Sequence, residues 1–153
     1  MMTATSTASD TFLQRLLRAA LHITRADRAL AVDSRLQIIE TINMERAEVE
    51  ADEFKGFANI RAALDTGEPI VTNNVVFDPA AAPTTNTNFS NLRAVVVIPV
   101  AGYGALYLDQ RIRNGIIPKK TVERLNLLAR QIIQTGGINL SELELIEAYR
   151  DLN

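Results

Sequence analysis

The chain has 153 residues, of which 47% are hydrophobic and 22% charged, and these values predict a single globular domain. Its net charge of −2 argues against nucleic-acid binding, because that function usually requires a basic surface. The chain contains no cysteine, which excludes disulfides, thiol catalysis and cysteine-bound zinc and fits a cytoplasmic protein.

The N-terminal segment predicts a flexible lead followed by an amphipathic helix. Residues 1–9 are small and polar, so they lack the basic and apolar parts of a secretory signal. No apolar run reaches the ~20 residues that a membrane helix needs. Residues 10–24 have helical periodicity, with Asp10 as a plausible N-cap.

Two short strands are predicted after this helix. Residues 29–32 form a buried apolar run, and residues 36–44 are their predicted hairpin partner. In a regular strand Leu36, Ile38 and Ile42 would lie on one face.

The middle of the chain predicts a helix, a strand and a long loop. Residues 45–53 are acidic and predict a solvated connection or a frayed helix start. A helix is expected over 54–65, ended by Gly67 in the left-handed conformation. A strand over 69–74 follows. Residues 77–91 then form the longest predicted irregular segment, and long loops of this kind are either binding loops and lids or disordered segments.

A second hairpin is the clearest pattern in the chain. It pairs an apolar strand over 94–100 with a strand over 104–109, joined by a glycine-rich turn. Pro99 lacks a backbone donor, so we expect it near the end of its strand.

The last part of the chain predicts two helices. A long amphipathic helix starts after Pro118 and ends at Gly136. Ser141 and Glu144 have capping-box spacing, which predicts a short further helix.

These elements predict an α+β fold. We expect an antiparallel sheet of about five strands, with the N- and C-terminal long helices on one face. The short middle helix and the long loop would cover the other face. We place the domain at residues 10–136 and a helical extension or linker at 137–153.

Three segments resemble the GAF domain, a small-molecule sensor module related to PAS domains. They are ITRADRALAVD (23–33), IRAALDTGEPIVTNNVVFDP (60–79) and NLRAVVVIPVAGYGALYLDQ (91–110). They occur in the family's order and spacing, and the resemblance covers about Leu16 to Ile133.

The resemblance implies an antiparallel sheet of five or six strands with the first and last long helices packed behind it, and a ligand site on the opposite face beneath the long loop. It also implies a homodimer through the first and last long helices, or a signal passed to an attached output module. The chain departs from several relatives, because it lacks the cyclic-nucleotide signature and the cysteines that bilin attachment and methionine-sulfoxide reduction require. We therefore expect an unidentified small-molecule ligand and no cofactor.

Six residues are candidates for the ligand site. Three phenylalanines would line an apolar pocket, and three polar residues would contact a ligand hydroxyl, amine or anionic group. They are Phe54, Phe57 and Phe89, and Asp78, Arg93 and Tyr107. Each also has a structural interpretation: Asp78 as a turn former, Arg93 as an ion-pair partner, Tyr107 and the phenylalanines as core.

A catalytic role is not expected. His22 is the only histidine, and it lies on the predicted polar face of the first helix, where a solvated role is expected. A single histidine without cysteine also disfavours a transition-metal site. The function predicted is a sensory or regulatory domain that binds a small molecule. The alternative is an interaction or dimerisation domain without a ligand.

Overall fold

The computed structural model describes residues 11–50, 56–76, 92–111 and 115–152. Five strands form one antiparallel sheet in the order β2-β1-β5-β4-β3. The strands are β1 (Arg28–Asp33), β2 (Ile38–Ile42), β3 (Ile70–Val76), β4 (Leu92–Val100) and β5 (Gly104–Arg111). The described helices are α1 (Phe12–Thr24), α2 (Arg46–Glu50), α3 (Gly56–Thr66), α4 (Lys119–Thr135) and α5 (Glu142–Arg150). The predicted fold class is confirmed, with the second hairpin, β4–β5, in the middle of the sheet.

One face of the sheet packs against α1, α4 and α5. Ala31, Val96 and Leu106 are buried there against residues such as Leu17 and Leu128 of the helices. Successive side chains of a strand point to opposite faces of the sheet, so every second residue of these strands packs in this core and the residues between them pack in the core on the other face. The first and last long helices therefore share one layer, as the sequence predicts.

The opposite face packs against α2 and α3. Leu30, Val97 and Tyr107 of the sheet meet Val49 of α2 and Ile60 of α3 in a second buried core. The acidic segment over 45–53 was predicted as a solvated connection or a frayed helix start. Residues 46–50 are indeed helical, but Val49 is fully buried rather than solvated, and residues 51–53 lie outside the described residues. Val49, the larger of the two apolar residues in that helix, is the one that packs in the core.

Helix ends follow local chemistry. The predicted N-cap Asp10 lies outside the described residues, and the N-cap of α1 is Thr11, whose side chain forms a reciprocal capping box with Gln14. Ser141 forms the same arrangement at α5. Gly67 and Gly136 are left-handed where α3 and α4 end, which confirms both predicted stops.

Strand β2 departs from regular alternation. Ala31 pairs with Glu40 but Val32 pairs with Ile38, so Ile39 is an extra residue in a bulge. Ile38 consequently joins the α2–α3 core, whereas Ile42 packs on the helical layer. The prediction that Ile38 and Ile42 share a face was wrong, because the bulge reverses the alternation.

Helix α5 docks on α1. The Arg15 side chain of α1 donates to the backbone oxygens of Ile138 and Leu140, which lie between α4 and α5. Leu145 of α5 is fully buried in the helical core. Arg124 of α4 lies over the Tyr149 ring and donates to its backbone oxygen. The apolar stripe of α1 is thus covered within one chain.

No helix in the described part of the chain is long and apolar enough to cross a membrane.

Candidate functional site

A cavity of about 530 Å³ opens at the hairpin end of the sheet. Its walls come from the C-terminal turn of α3, the β4–β5 turn with the end of β4, the C-terminal half of α4, and Ser34 directly after β1. Helices α3 and α4 lie on opposite faces of the sheet. The cavity therefore joins the two layers of the domain.

The β4–β5 turn shapes the floor of the cavity. β3 begins at Ile70 opposite Val97, so Pro99 lies beyond the β3 ladder, near the end of β4 as the sequence predicts. Gly104 comes so close to β1 that a Cβ atom there would overlap the Val32 carbonyl oxygen and lie 2.7 Å from Asp33 Cα. Its φ of 146° also favours glycine. The turn is thereby held against β1.

The cavity is mainly apolar, with a few polar groups. Leu64, Pro99 and Ile133 contribute apolar surface. The charged residues in its wall, among those that the structure describes, are Asp65 of α3 and Arg130 of α4. This combination is typical of small-molecule sites.

Arg130 bridges the two helices that flank the cavity. Its Nη2 atom donates to the Gly67 backbone oxygen at 3.2 Å and to Glu68 Oε2 at 3.3 Å. Both side chains of the ion pair are more than half exposed, so solvent screens it. The bridge between α3 and α4 is consequently easy to break.

A second polar feature is a charged network on the α2–α3 face of the sheet. Arg28 Nε and Nη2 donate to the two carboxylate oxygens of Asp109, at 3.0 and 2.8 Å. The Tyr107 hydroxyl donates to Asp109 Oδ2 at 2.6 Å. The Asp109 side chain is fully buried and that of Arg28 is 12% exposed.

The strand register explains this network. Arg28 lies opposite Asp109 on neighbouring strands, so their side chains share a face. Tyr107 precedes Asp109 by two residues and shares that face as well, as the sequence predicts. A buried carboxylate needs partners for its charge, and the arginine and the tyrosine supply them.

The sequence-predicted site residues are only partly described. Phe54, Asp78 and Phe89 lie outside the described residues. Phe57 is partly buried and packs against the α2–α3 core. Position 93 lies in β4, with Val75 and Arg111 as strand partners.

Neither Phe57 nor Tyr107 lines the cavity. Tyr107 is fully buried with its hydroxyl hydrogen-bonded, in agreement with its structural interpretation as a core residue. His22 is exposed on α1, as expected for a solvated histidine.

Sequence reasoning missed the cavity-lining polar residues and the ion pair. Asp65 and Arg130 sit on helices predicted only for their apolar stripes, and 65 residues separate them in the chain. Arg28 and Asp109 are 81 residues apart. The only local signal was that Asp109 shares a face with Tyr107.

A comparison with protein-family models and with characterised proteins gives no match. The GAF resemblance therefore rests on the three segments and on an α+β fold of the expected class, and it stays a prediction.

Proposed function

We propose that this chain is a regulatory domain of GAF-like architecture that binds a small molecule. The observation that carries the proposal is the cavity of about 530 Å³ between α3, α4 and the β4–β5 turn. Small-molecule pockets span roughly 300–1,000 Å³ and combine apolar walls with few polar groups. The role proposed is binding rather than catalysis.

The position of the cavity suggests how a ligand would act. A molecule bound there contacts α3 on one face of the sheet and α4 on the other. The Arg130 bridge to Gly67 and Glu68 holds these helices together across the cavity. A ligand that favours a different spacing of the helices shifts the population of states, and this change reaches the helical layer. From there it would pass to a homodimer partner or to an attached output module.

The first experiment is native mass spectrometry of the protein purified from its own host. A retained small molecule supports the proposal and gives its mass. The same measurement on Ala101→Trp locates the site, because Ala101 is an exposed turn residue whose side chain lines the cavity. Leu127→Trp is the matched control, since Leu127 is exposed on α4 away from the cavity wall.

Loss of the bound mass in Ala101→Trp but not in Leu127→Trp places the ligand in this cavity. Retention in both variants would instead favour the face first predicted from the sequence, beneath residues 77–91. An unoccupied protein that shows no thermal stabilisation by a metabolite extract of its host would contradict the proposal, because a bound ligand must stabilise the folded state.

A further inference from the structure

We infer that the cavity between α3, α4 and the β4–β5 turn selects a small organic cation, an amine on an apolar body. This inference rests on the proposed function, because it names the ligand class for the same cavity. It comes from the balance of charge around the cavity and from the way in which Arg130 is held.

Negative charge outweighs positive charge at this site. Asp65 lines the cavity, and Glu68 follows one residue after Gly67 in its wall. Arg130 is the only cation among the described lining residues. The Glu68 carboxylate balances the charge of Arg130. The negative charge of Asp65 is therefore not balanced by a cation among the described lining residues.

The end of α3 adds to this negative potential. The helix ends at Thr66, and both Asp65 in its last turn and Gly67 directly after it line the cavity. A helix C-terminus carries partial negative charge on its last carbonyl groups, which favours cations nearby. An anionic ligand would therefore meet Asp65 and the helix end together.

Arg130 shows where a ligand cation would sit. Its guanidinium already contacts a carbonyl oxygen and a carboxylate oxygen at the cavity rim. Both distances exceed the ~2.7–2.9 Å of a strong charge-assisted hydrogen bond, and the Arg130 side chain is half exposed. A ligand amine can displace this weakly held group from the Gly67 oxygen and pair with the Asp65 carboxylate, which lines the same cavity.

The rest of the cavity suits an apolar body. Leu64 and Pro99 approach from the α3 side and the strand end, and Ala129 and Ile133 from α4. An aryl or alkyl group on these surfaces provides affinity through burial, while the amine provides orientation.

The test compares three probes of similar shape: 2-phenylethylamine, 2-phenylethanol and phenylacetate. Binding is followed by chemical shifts in amide NMR spectra of the full chain. We expect the amine to bind up to about fivefold tighter than the alcohol, which is the range of a solvent-screened ion pair, and the carboxylate to bind weakest. The shifted amides should cluster around Gly67, Ala101 and Arg130.

Asp65→Asn identifies the carboxylate that selects the amine. Asp65 is exposed, so the variant should fold normally. It should reduce the preference for the amine over the alcohol to less than about twofold and leave alcohol binding unchanged. Asp151→Asn, an exposed change at the end of α5, is the matched control and should preserve the preference.

The results separate the ligand class from the proposed function. Equal or tighter binding of the alcohol or the carboxylate at the same amides would overturn the cation inference and leave a small-molecule site in place. Amine binding that persists in Ala101→Trp would overturn it too, because the amine would then bind elsewhere. If no probe shifts the lining amides at millimolar concentration, the inference fails, whereas the proposed function is judged separately by native mass spectrometry.

Discussion

Removing the charge of Asp109 should destabilise the fold more than any comparable change at another ion pair of the described chain. Its carboxylate is fully buried and accepts two hydrogen bonds from Arg28 and one from Tyr107. Asp109→Asn keeps the shape but removes the negative charge, so the mostly buried Arg28 guanidinium loses the carboxylate that it binds with two hydrogen bonds. Breaking one partner of a buried ion pair costs about 3–5 kcal/mol.

Two other arginine–carboxylate pairs provide a graded control. Arg18 binds Glu40 in the same bidentate manner at 2.8 and 3.1 Å, but the side chains are 33% and 17% exposed. Glu40→Gln should cost about 1 kcal/mol or less, because solvent screens the pair. The pair formed by Arg130 and Glu68 is exposed, and Glu68→Gln should stay within about 0.5 kcal/mol of the wild type.

The assay is urea unfolding followed by far-ultraviolet circular dichroism, supported by thermal melts. A loss of about 3 kcal/mol for Asp109→Asn corresponds to a fall in Tm of about 6–12 °C for a domain of this size. The triple variant Arg28→Met/Tyr107→Phe/Asp109→Leu should recover most of the loss, because apolar side chains of similar volume avoid the cost of desolvation and the hydroxyl that donates to Asp109 is removed as well. The reasoning is refuted if Asp109→Asn costs under 1 kcal/mol, or if Glu40→Gln costs as much as Asp109→Asn.

Three further substitutions test individual contacts by the same unfolding assay. Tyr107→Phe removes the hydroxyl that donates to the buried carboxylate and should cost about 1.5–3 kcal/mol; a neutral result would mean that this hydrogen bond adds nothing. Gly104→Ala places a methyl group against the β1 backbone and should cost about 3 kcal/mol or more, whereas Gly102→Ala, left-handed but in open space, should cost about 1–2 kcal/mol. Equal losses would show that the close approach to β1 is relieved by small shifts. Leu145→Ala empties a buried site and should cost about 2–5 kcal/mol, whereas Leu143→Ala, which is 62% exposed, should be neutral; similar values would contradict the docking of α5.

Features set by short-range chemistry were predictable from the sequence. Gly67 and Gly136 end their helices because glycine takes the left-handed conformation at low cost. Ser141 and Glu144 cap α5 through a pattern three residues apart. The same pattern at Thr11 was overlooked in favour of Asp10, although a capping box is more specific than a single N-cap residue.

Features set by pairing between distant segments were not predictable. The bulge at Ile39 depends on how β2 meets β1, and no residue within β2 marks it. Opposite charges at Arg28 and Asp109 become a pair only once β1 lies beside β5. The cavity requires four segments far apart in the chain, including Asp65 and Arg130, to meet at one end of the sheet. A single sequence contains no information on which of its polar residues will converge in this way.

The predicted homodimer through the first and last long helices would need apolar surface on those helices that the single chain leaves uncovered. Within one chain, α1 and α4 already bury their apolar stripes, and α5 covers α1. Large exposed apolar side chains on the described helices are limited to Leu127 and Leu143. We therefore propose that a dimer through the apolar surface of α1, burying the ~1,000 Å² expected of a stable interface, forms when α5 leaves α1.

Docking of α5 and dimerisation would then compete for the same surface. Leu145→Ala weakens the docking, so it raises the population of chains with α1 uncovered and should tighten dimerisation about tenfold or more. Leu143→Ala should leave the dimer constant unchanged, because Leu143 is not buried in this contact. Sedimentation velocity over a range of concentrations measures both constants. A wild-type dimer whose affinity is the same in Leu145→Ala would show that the two chains meet on a surface other than α1.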